Sequence, residues 1–347
     1  MFMNWPSLSI IIPSFNQGAY IERTILSILK QEYQGELEVI VADGGSKDET
    51  VEILKRYPKI KWWSQPDKGF VDAVMKGIAI CNGEIIAIQS SDDFYLRDAF
   101  KVSIKELIEH EDISIVAGCD VYLQPDMKTF SFSNLDSHYI TPHSLLMERF
   151  IGQHCAFFRR SIIEKIGGLR EEVDTCADID FWYRSLHFFQ GKFIPFYTAV
   201  YQFHSNQRTQ VLKDWTPSLM RMVESCENNS FYESKFQLNQ KDKKNLYTIW
   251  EVYQEIDHGD KEQALRKIEE VLNSKEYTDK TKQVFRAFLP TSEQNFQEEK
   301  KHLSEKILAS ALDGSLIQKA RRKLIKTFNF DKKLNNHQKI DIEWWKN

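Results

Sequence analysis

The first two hundred residues alternate two hydrophobic rhythms. Leu8 to Ile12 is a short apolar run rich in β-branched residues and closed by Pro13, the pattern of a buried strand. From Tyr20 to Lys30, Ile21, Ile25, Ile28 and Leu29 recur at helical spacing. The rhythm then repeats. Leu37 to Ala42 reads as a second buried strand, Thr50 to Tyr57 as a helix and Ile60 to Ser64 as a short strand. Phe70 to Cys81 reads as a helix and Glu84 to Gln89 as a further strand. Strand and helix in alternation predict a mainly parallel sheet with helices on both faces. Ligands of such sheets bind beyond the carboxyl ends of the strands, which is where chemistry is to be sought.

The rhythm changes near residue 212. Twelve of the 14 glycines and seven of the nine prolines precede that point. Charged residues make up 49 of the first 212 positions and 47 of the last 135. Turn-rich sequence gives way to charged, glycine-poor sequence that favours helices. The division predicts an α/β domain over 1–212 and a mostly helical region over 213–347.

Composition narrows the function. Lys and Arg number 46 against 50 Asp and Glu, a net charge of −4, and that balance argues against a nucleic-acid binder. The first part carries −7, from 21 basic and 28 acidic residues, and the second +3, from 25 and 22. The five cysteines stand at 81, 119, 155, 176 and 226, with no C-x-x-C pair, so a zinc ribbon or redox pair is not expected and a reducing, cytoplasmic setting is. No signal-peptide pattern and no run of 18 apolar residues occurs. Aromatics reach 13%, which suits an aromatic-rich core and also sugar-binding faces.

Three strand ends carry polar, turn-forming groups. They are Pro13-Ser14-Phe15-Asn16-Gln17-Gly18, Asp43-Gly44-Gly45-Ser46-Lys47-Asp48 and Ser90-Ser91-Asp92-Asp93. Asp43 offers acceptors to a base or ribose. Asp92 and Asp93 offer the hard oxygen ligands that suit Mg2+ or Mn2+ on a diphosphate. The plainer readings are that Asp-Gly-Gly-Ser is a turn and that Asp92 or Asp93 caps the next helix.

The order of segments resembles the nucleotide-binding half of family 2 glycosyltransferases of the GT-A fold. The likeness runs through LSIIIPSFNQGAYIERTILSILKQ, LEVIVADGGSKDETVEIL, QPDKGFVDAVMKGI, GEIIAIQSSDDFY, GQHCAFFRRSIIEKIGGLREE and CADIDFWYRSL, over about residues 7–210. What the resemblance implies is a Rossmann-like GT-A domain that moves a sugar from a nucleotide-sugar, UDP- or dTDP-linked, onto a hydroxyl of a glycan or lipid-linked glycan. It implies nucleotide contacts at Asn16 and Asp43, a donor contact at Asp72, and a metal and diphosphate segment at Ser90-Ser91-Asp92. Ser91 is thereby assigned to the donor, and Asp92, Asp93 and His204 to a Mn2+ or Mg2+ ion. Asp178 falls at the position of the catalytic base. Two positions depart from the pattern: Ser90 replaces the first Asp of D-x-D, and Ala177 replaces the Glu before the base.

The remaining residues have plainer readings beside these. Thr175-Cys176-Ala177-Asp178 fits a capping pattern, with Thr175 opening a helix to about Phe189 and Asp178 in its first turn. Asp72 is also placed to pair with Lys76, and Asp180 with Arg184 on a helix surface. His204 is equally a strand-end histidine, with Arg208 in its loop as a phosphate partner. His154 reads as a strand residue that either faces the acceptor or, the plainer reading, packs in the core. From 314 to 333, seven basic residues and one acid accompany Leu316, Ile317, Ala320, Leu324 and Phe328 at helical spacing. Such a helix either packs on its own domain or lies on an anionic membrane surface. The reading that follows is an inverting, metal-dependent glycosyltransferase. The alternative is a non-catalytic sugar-nucleotide-binding partner in polysaccharide synthesis, and a nicotinamide enzyme is excluded because no G-x-G-x-x-G follows the first strand.

Overall fold

The computed structural model describes residues 4–127, 130–133, 137–147, 151–205, 207, 216–229, 231, 238–258, 261–275, 277, 282 and 344. The chain opens as β1 (Leu8–Ser14), α1 (Ile21–Leu29), β2 (Leu37–Asp43), α2 (Thr50–Lys55), β3 (Lys61–Ser64), α3 (Phe70–Ile80) and β4 (Ile85–Ile88). Each strand and helix expected from the hydrophobic rhythm over this stretch is present. It continues through β5 (Phe94–Tyr95), α4 (Ala99–Glu109), β6 (Ile113–Leu123), β7 (Phe130–Phe132), β8 (Tyr139–Ile140), α5 (Pro142–Met147), β9 (Ala156–Arg159) and α6 (Ser161–Ile166). α7 (Ala177–Ser185) and β10 (Gln190–Gln202) complete the sheet domain, and α8 (Thr216–Glu227), α9 (Gln240–His258) and α10 (Lys261–Asn273) follow.

The sheet runs β3-β2-β1-β4-β9-β6-β10-β5, with β7 on β6 and β8 on β10. The pairs among β3, β2, β1 and β4 are parallel, as is β6 with β10. The parallel half is the one the sequence made visible. Beyond β4 the sheet is mixed, because β9 enters antiparallel to both β4 and β6.

Strand β1 is buried on both faces along its whole length. Leu8, Ile10 and Ile12 join Ile21, Ile25 and Ile28 of α1 and Phe100, Ile104 and Leu107 of α4 in one core. Ile11 points the other way, to α3, where a Cβ on Gly77 would lie 2.5 Å from Ile11 Cγ2. That absent side chain lets α3 seat against the strand. A smaller core joins Phe94 and Leu96 to Cys119, Val121, Leu123, Tyr197 and Val200. All five cysteines are buried free thiols.

The chain divides into two compact units. One comprises residues 1–205, 228–232 and 335–347, and the other 206–227 and 233–334. Within the second, α9 and α10 pack together. The expected basic helix over 314–333 and Arg208 lie outside the described residues.

Candidate active site

Parallel pairing brings the predicted strand ends to one edge. Ser14 stands opposite Asp43, and Asp43 opposite Ser64, while β4 flanks β1 on its other side. Asp43 is fully buried and builds its own turn. Its carboxylate accepts the N–H groups of Gly45 and Ser46 at 3.2 and 2.9 Å, and the hydroxyls of Ser46 and Ser64 at 2.5 and 2.6 Å. Gly45 has φ +84°, a conformation that favours glycine. Asn16, at φ 52°, laces the first loop to the second: its N–H donates to Ser46 Oγ at 2.7 Å and its Oδ1 accepts the Lys47 N–H at 2.9 Å. Phe15 beside it is 59% exposed. Asp72 caps the loop before α3 by accepting the Lys68 N–H at 3.0 Å, and pairs with Lys76 at 2.8 Å, which holds its carboxyl below the usual range. The sequence-level pairing of Asp72 with Lys76 is therefore present.

The turn after β4 is gripped by α1. The Thr24 hydroxyl lies 2.9 Å from the Ser91 carbonyl and 2.6 Å from that of Asp93. Ser27 accepts the Tyr95 N–H at 3.1 Å, and the Gln31 amide donates to Leu96 at 2.8 Å. Thr24 and Ser27 share one face of α1 and Gln31 follows just past its end, so this stretch does for the edge segment what a neighbouring strand would do. Arg23 donates to the Asp92 carbonyl at 3.2 Å and to the Gln202 side chain, with its guanidinium 4.3 Å from the centre of the Phe94 ring. Burial pulls Arg23 down to about 10, against the opposing pull of Asp93 and Asp92.

Asp92 and Asp93 have different neighbours. Asp92 Oδ2 lies 2.8 Å from His204 Nε2, and the His204 ring stacks on Tyr20 with centroids 4.4 Å apart. Asp93 is 1% exposed, accepts the Gln202 N–H at 3.0 Å and lies 3.8 Å from His154 Nδ1. Burial, then the Asp92 charge, raises the Asp93 carboxyl to about 7. His154 is not on a strand, contrary to expectation. It sits in a 3-10 turn, Gln153–Cys155, just before β9, with Nε2 2.7 Å from Asp120 Oδ1 on β6. Burial alone would lower His154, yet Asp120, Asp93 and Asp92 hold it at about 9.

The donors present fit a divalent cation. Asp92 and His204 put a carboxylate oxygen and an imidazole nitrogen close together, a donor set compatible with Mn2+. Asp93 turns to His154 instead. Among the described residues, one His/Cys/Asp/Glu trio has ligand atoms mutually within 4.8 Å, and it is the buried set Asp120, His154 and Cys155.

Asp178 lies in the first turn of α7, partly exposed. Thr175 is not the N-cap residue of this helix. A 3-10 segment, Glu171–Cys176, leads into it, Cys176 occupies the N-cap without a side-chain cap bond, and the helix ends at Ser185 rather than near Phe189. Asp180 and Arg184 do pair, at 2.8 Å, but in the interior, because Arg170 closes on the same carboxylate and Arg184 also donates to the carbonyls of Ile166 and Gly168. This buried knot anchors the segment that leads into α7. Arg23, Thr24, Asp120, Arg170 and Gln202 escaped the sequence reading. Thr24 and Ser27, small polar residues among the buried Ile21, Ile25 and Ile28 of α1, were the one legible signal.

Residues 9–167 match the family described as Glycosyl transferase family 2. The chain is 31% identical over 190 residues to an uncharacterized glycosyltransferase of Mycobacterium tuberculosis, covering 52% of this chain and 69% of that protein. It is 29% identical over 181 residues to chondroitin synthase of Escherichia coli, covering 51% of this chain but only 26% of the relative's length. Among solved structures, Staphylococcus aureus TarS 1–349 in complex with UDP-GlcNAc superposes with a TM-score of 0.56 at 14% identity, over 93% of this chain and 89% of that one. The mannosyltransferase PcManGT of Pyrobaculum calidifontis, in complex with GDP-Man and Mn2+, gives 0.54 at 16% identity, over 95% and 89%. At these identities the two structures speak to fold alone.

Proposed function

We propose that this chain, which belongs to glycosyl transferase family 2, moves a sugar from a nucleoside-diphosphate sugar to a hydroxyl of a glycan or lipid-linked glycan, with inversion and with a divalent cation. The observation that carries the reading is the Asp92–His204 pair at the β4 end, on the sheet edge where the Asn16 and Asp43 loops also open. Asn16, Asp43, Asp72 and Ser91 form the donor side. Asp92 and His204 would hold the cation, which supplies charge neutralisation for the departing diphosphate.

Asp178 is the base of this mechanism. Its carboxylate accepts the proton of the acceptor hydroxyl as that oxygen bonds to the anomeric carbon and the bond to the diphosphate oxygen breaks. One displacement inverts the centre. Asp178 stands in the first turn of α7, at the positive end of the helix. A uridine or thymidine donor is the first to try, and a guanosine donor the control. The likeness to chondroitin synthase supports cell-surface polysaccharide as the product class. Among the described residues no helix is long and apolar enough to cross a membrane. The basic segment 314–333 is proposed to bring the enzyme to an anionic cytoplasmic membrane face.

A thermal-shift panel of nucleotide-sugars, with and without Mn2+, tests the reading. A true donor at 100 times its dissociation constant adds about 2.7 kcal/mol of stability. A panel in which no nucleotide-sugar moves the transition contradicts it.

A further inference from the structure

Two contacts and two short stretches of chain close a ring around the proposed cation pair. Asp92 Oδ2 meets His204 Nε2 at 2.8 Å. Two residues before His204, the Gln202 N–H donates to the Asp93 carboxylate at 3.0 Å. Asp93 follows Asp92 in the chain, so the ring is complete: its bond to Gln202 sets how far His204 stands from Asp92. Behind Asp93 stands His154, 3.8 Å away, and behind His154 stands Asp120 at 2.7 Å. Asp93, His154 and Asp120 are all buried. Gly152 leaves room for this row, since a Cβ there would lie 2.8 Å from Asp120 Oδ1 and 3.1 Å from His154 Cε1.

We propose that His154, seated by Asp120, is a positioning residue that fixes Asp93 on the Gln202 N–H and thereby holds His204 at Asp92 in register to take a divalent cation. The inference rests on the reading of Asp92 and His204 as the cation ligands. Its physical basis is that a buried carboxylate keeps its place only when its charge is met. Arg23 also faces Asp93 and Asp92, but its hydrogen bonds go to the Asp92 carbonyl and the Gln202 side chain. Without His154, Asp93 is left to turn toward water, and the Gln202 anchor goes with it. An asparagine at 93 would still accept that N–H and would need no cation behind it.

The test is titration of the purified full-length protein with Mn2+ alone, followed by calorimetry or by the spin signal of free Mn2+, with melting temperatures recorded beside it. His154→Gln should bind Mn2+ about tenfold more weakly than wild type, the size of effect that outer-shell changes have at metal sites. Asp93→Asn/His154→Gln should recover to within about threefold of Asp93→Asn, a rescue that a merely structural histidine does not predict. Should His154→Gln fail to fold, Asp120→Asn carries the same expectation of weakened binding. Equal binding by wild type and His154→Gln, or by wild type and Asp120→Asn, overturns the inference while leaving the cation pair standing. A double variant as weak as His154→Gln overturns it likewise. A wild type that binds no Mn2+ overturns the cation reading and this inference together. Loss of binding in Cys155→Ser with retention in Asp92→Asn would place the ion on Asp120, His154 and Cys155, and also overturns it.

Discussion

Asp92 and Asp93 are neighbours in sequence with opposite surroundings, one at the His204 ring and one sealed against His154. Asp92→Asn should therefore weaken Mn2+-supported binding of a nucleoside diphosphate more than Asp93→Asn, by tenfold or more against a few-fold, read by calorimetric titration. Equal losses would show that the two carboxylates share one role. Both residues, and His204 at a distance of 112 positions, were legible because acidic and imidazole side chains at strand ends announce themselves. Asp120 was not, and His154 was legible only as a core or acceptor-facing strand residue. Each is a polar residue inside an apolar stretch, and their partnership exists only once β9 lies beside β6. The surface pairing foreseen for Asp180 and Arg184 had the right partners and the wrong environment, since spacing alone does not reveal that Arg170 arrives to bury them.

Helix α1 carries the element-scale lesson. Its apolar positions Ile21, Ile25 and Ile28 made it predictable as a helix packed on the sheet. Its Thr24 and Ser27, with Gln31 just past its end, bond the carbonyls of Ser91, Asp93 and Leu96 and the N–H of Tyr95. Thr24→Val keeps the shape and removes the hydroxyl, leaving two buried carbonyls without it. The expected cost is about 1–2 kcal/mol in chemical denaturation, with weaker diphosphate binding, because the Asp92 turn is the segment released. Unchanged stability and binding would mean that α1 merely covers the turn. The parallel half of the sheet was readable because buried parallel strands are continuous apolar runs. The antiparallel entry of β9 and the two-residue strands β5 and β8 were not, since direction is set by the connections and two residues carry no period.

At the scale of the whole chain, Trp344 is tied to the sheet domain: buried, it donates its indole N–H to the Tyr95 carbonyl at 3.1 Å, beneath Arg97. Truncation is thus a poor probe of the basic segment, for it would remove Trp344 as well. Lys319→Glu/Lys323→Glu/Lys326→Glu is the better variant. It should lose salt-sensitive binding to anionic vesicles, since each basic residue contributes about 1 kcal/mol there, while slow donor hydrolysis stays at the wild-type rate. A wild type that ignores anionic vesicles at low salt would refute the membrane contact. The central claim, transfer with Asp178 as base, is tested most directly by comparing wild type and Asp178→Asn for both donor binding and sugar transfer in one preparation. The account predicts donor affinity within a few-fold of wild type and a transfer rate reduced by about 10²–10⁴. Near-wild-type transfer by Asp178→Asn would contradict it.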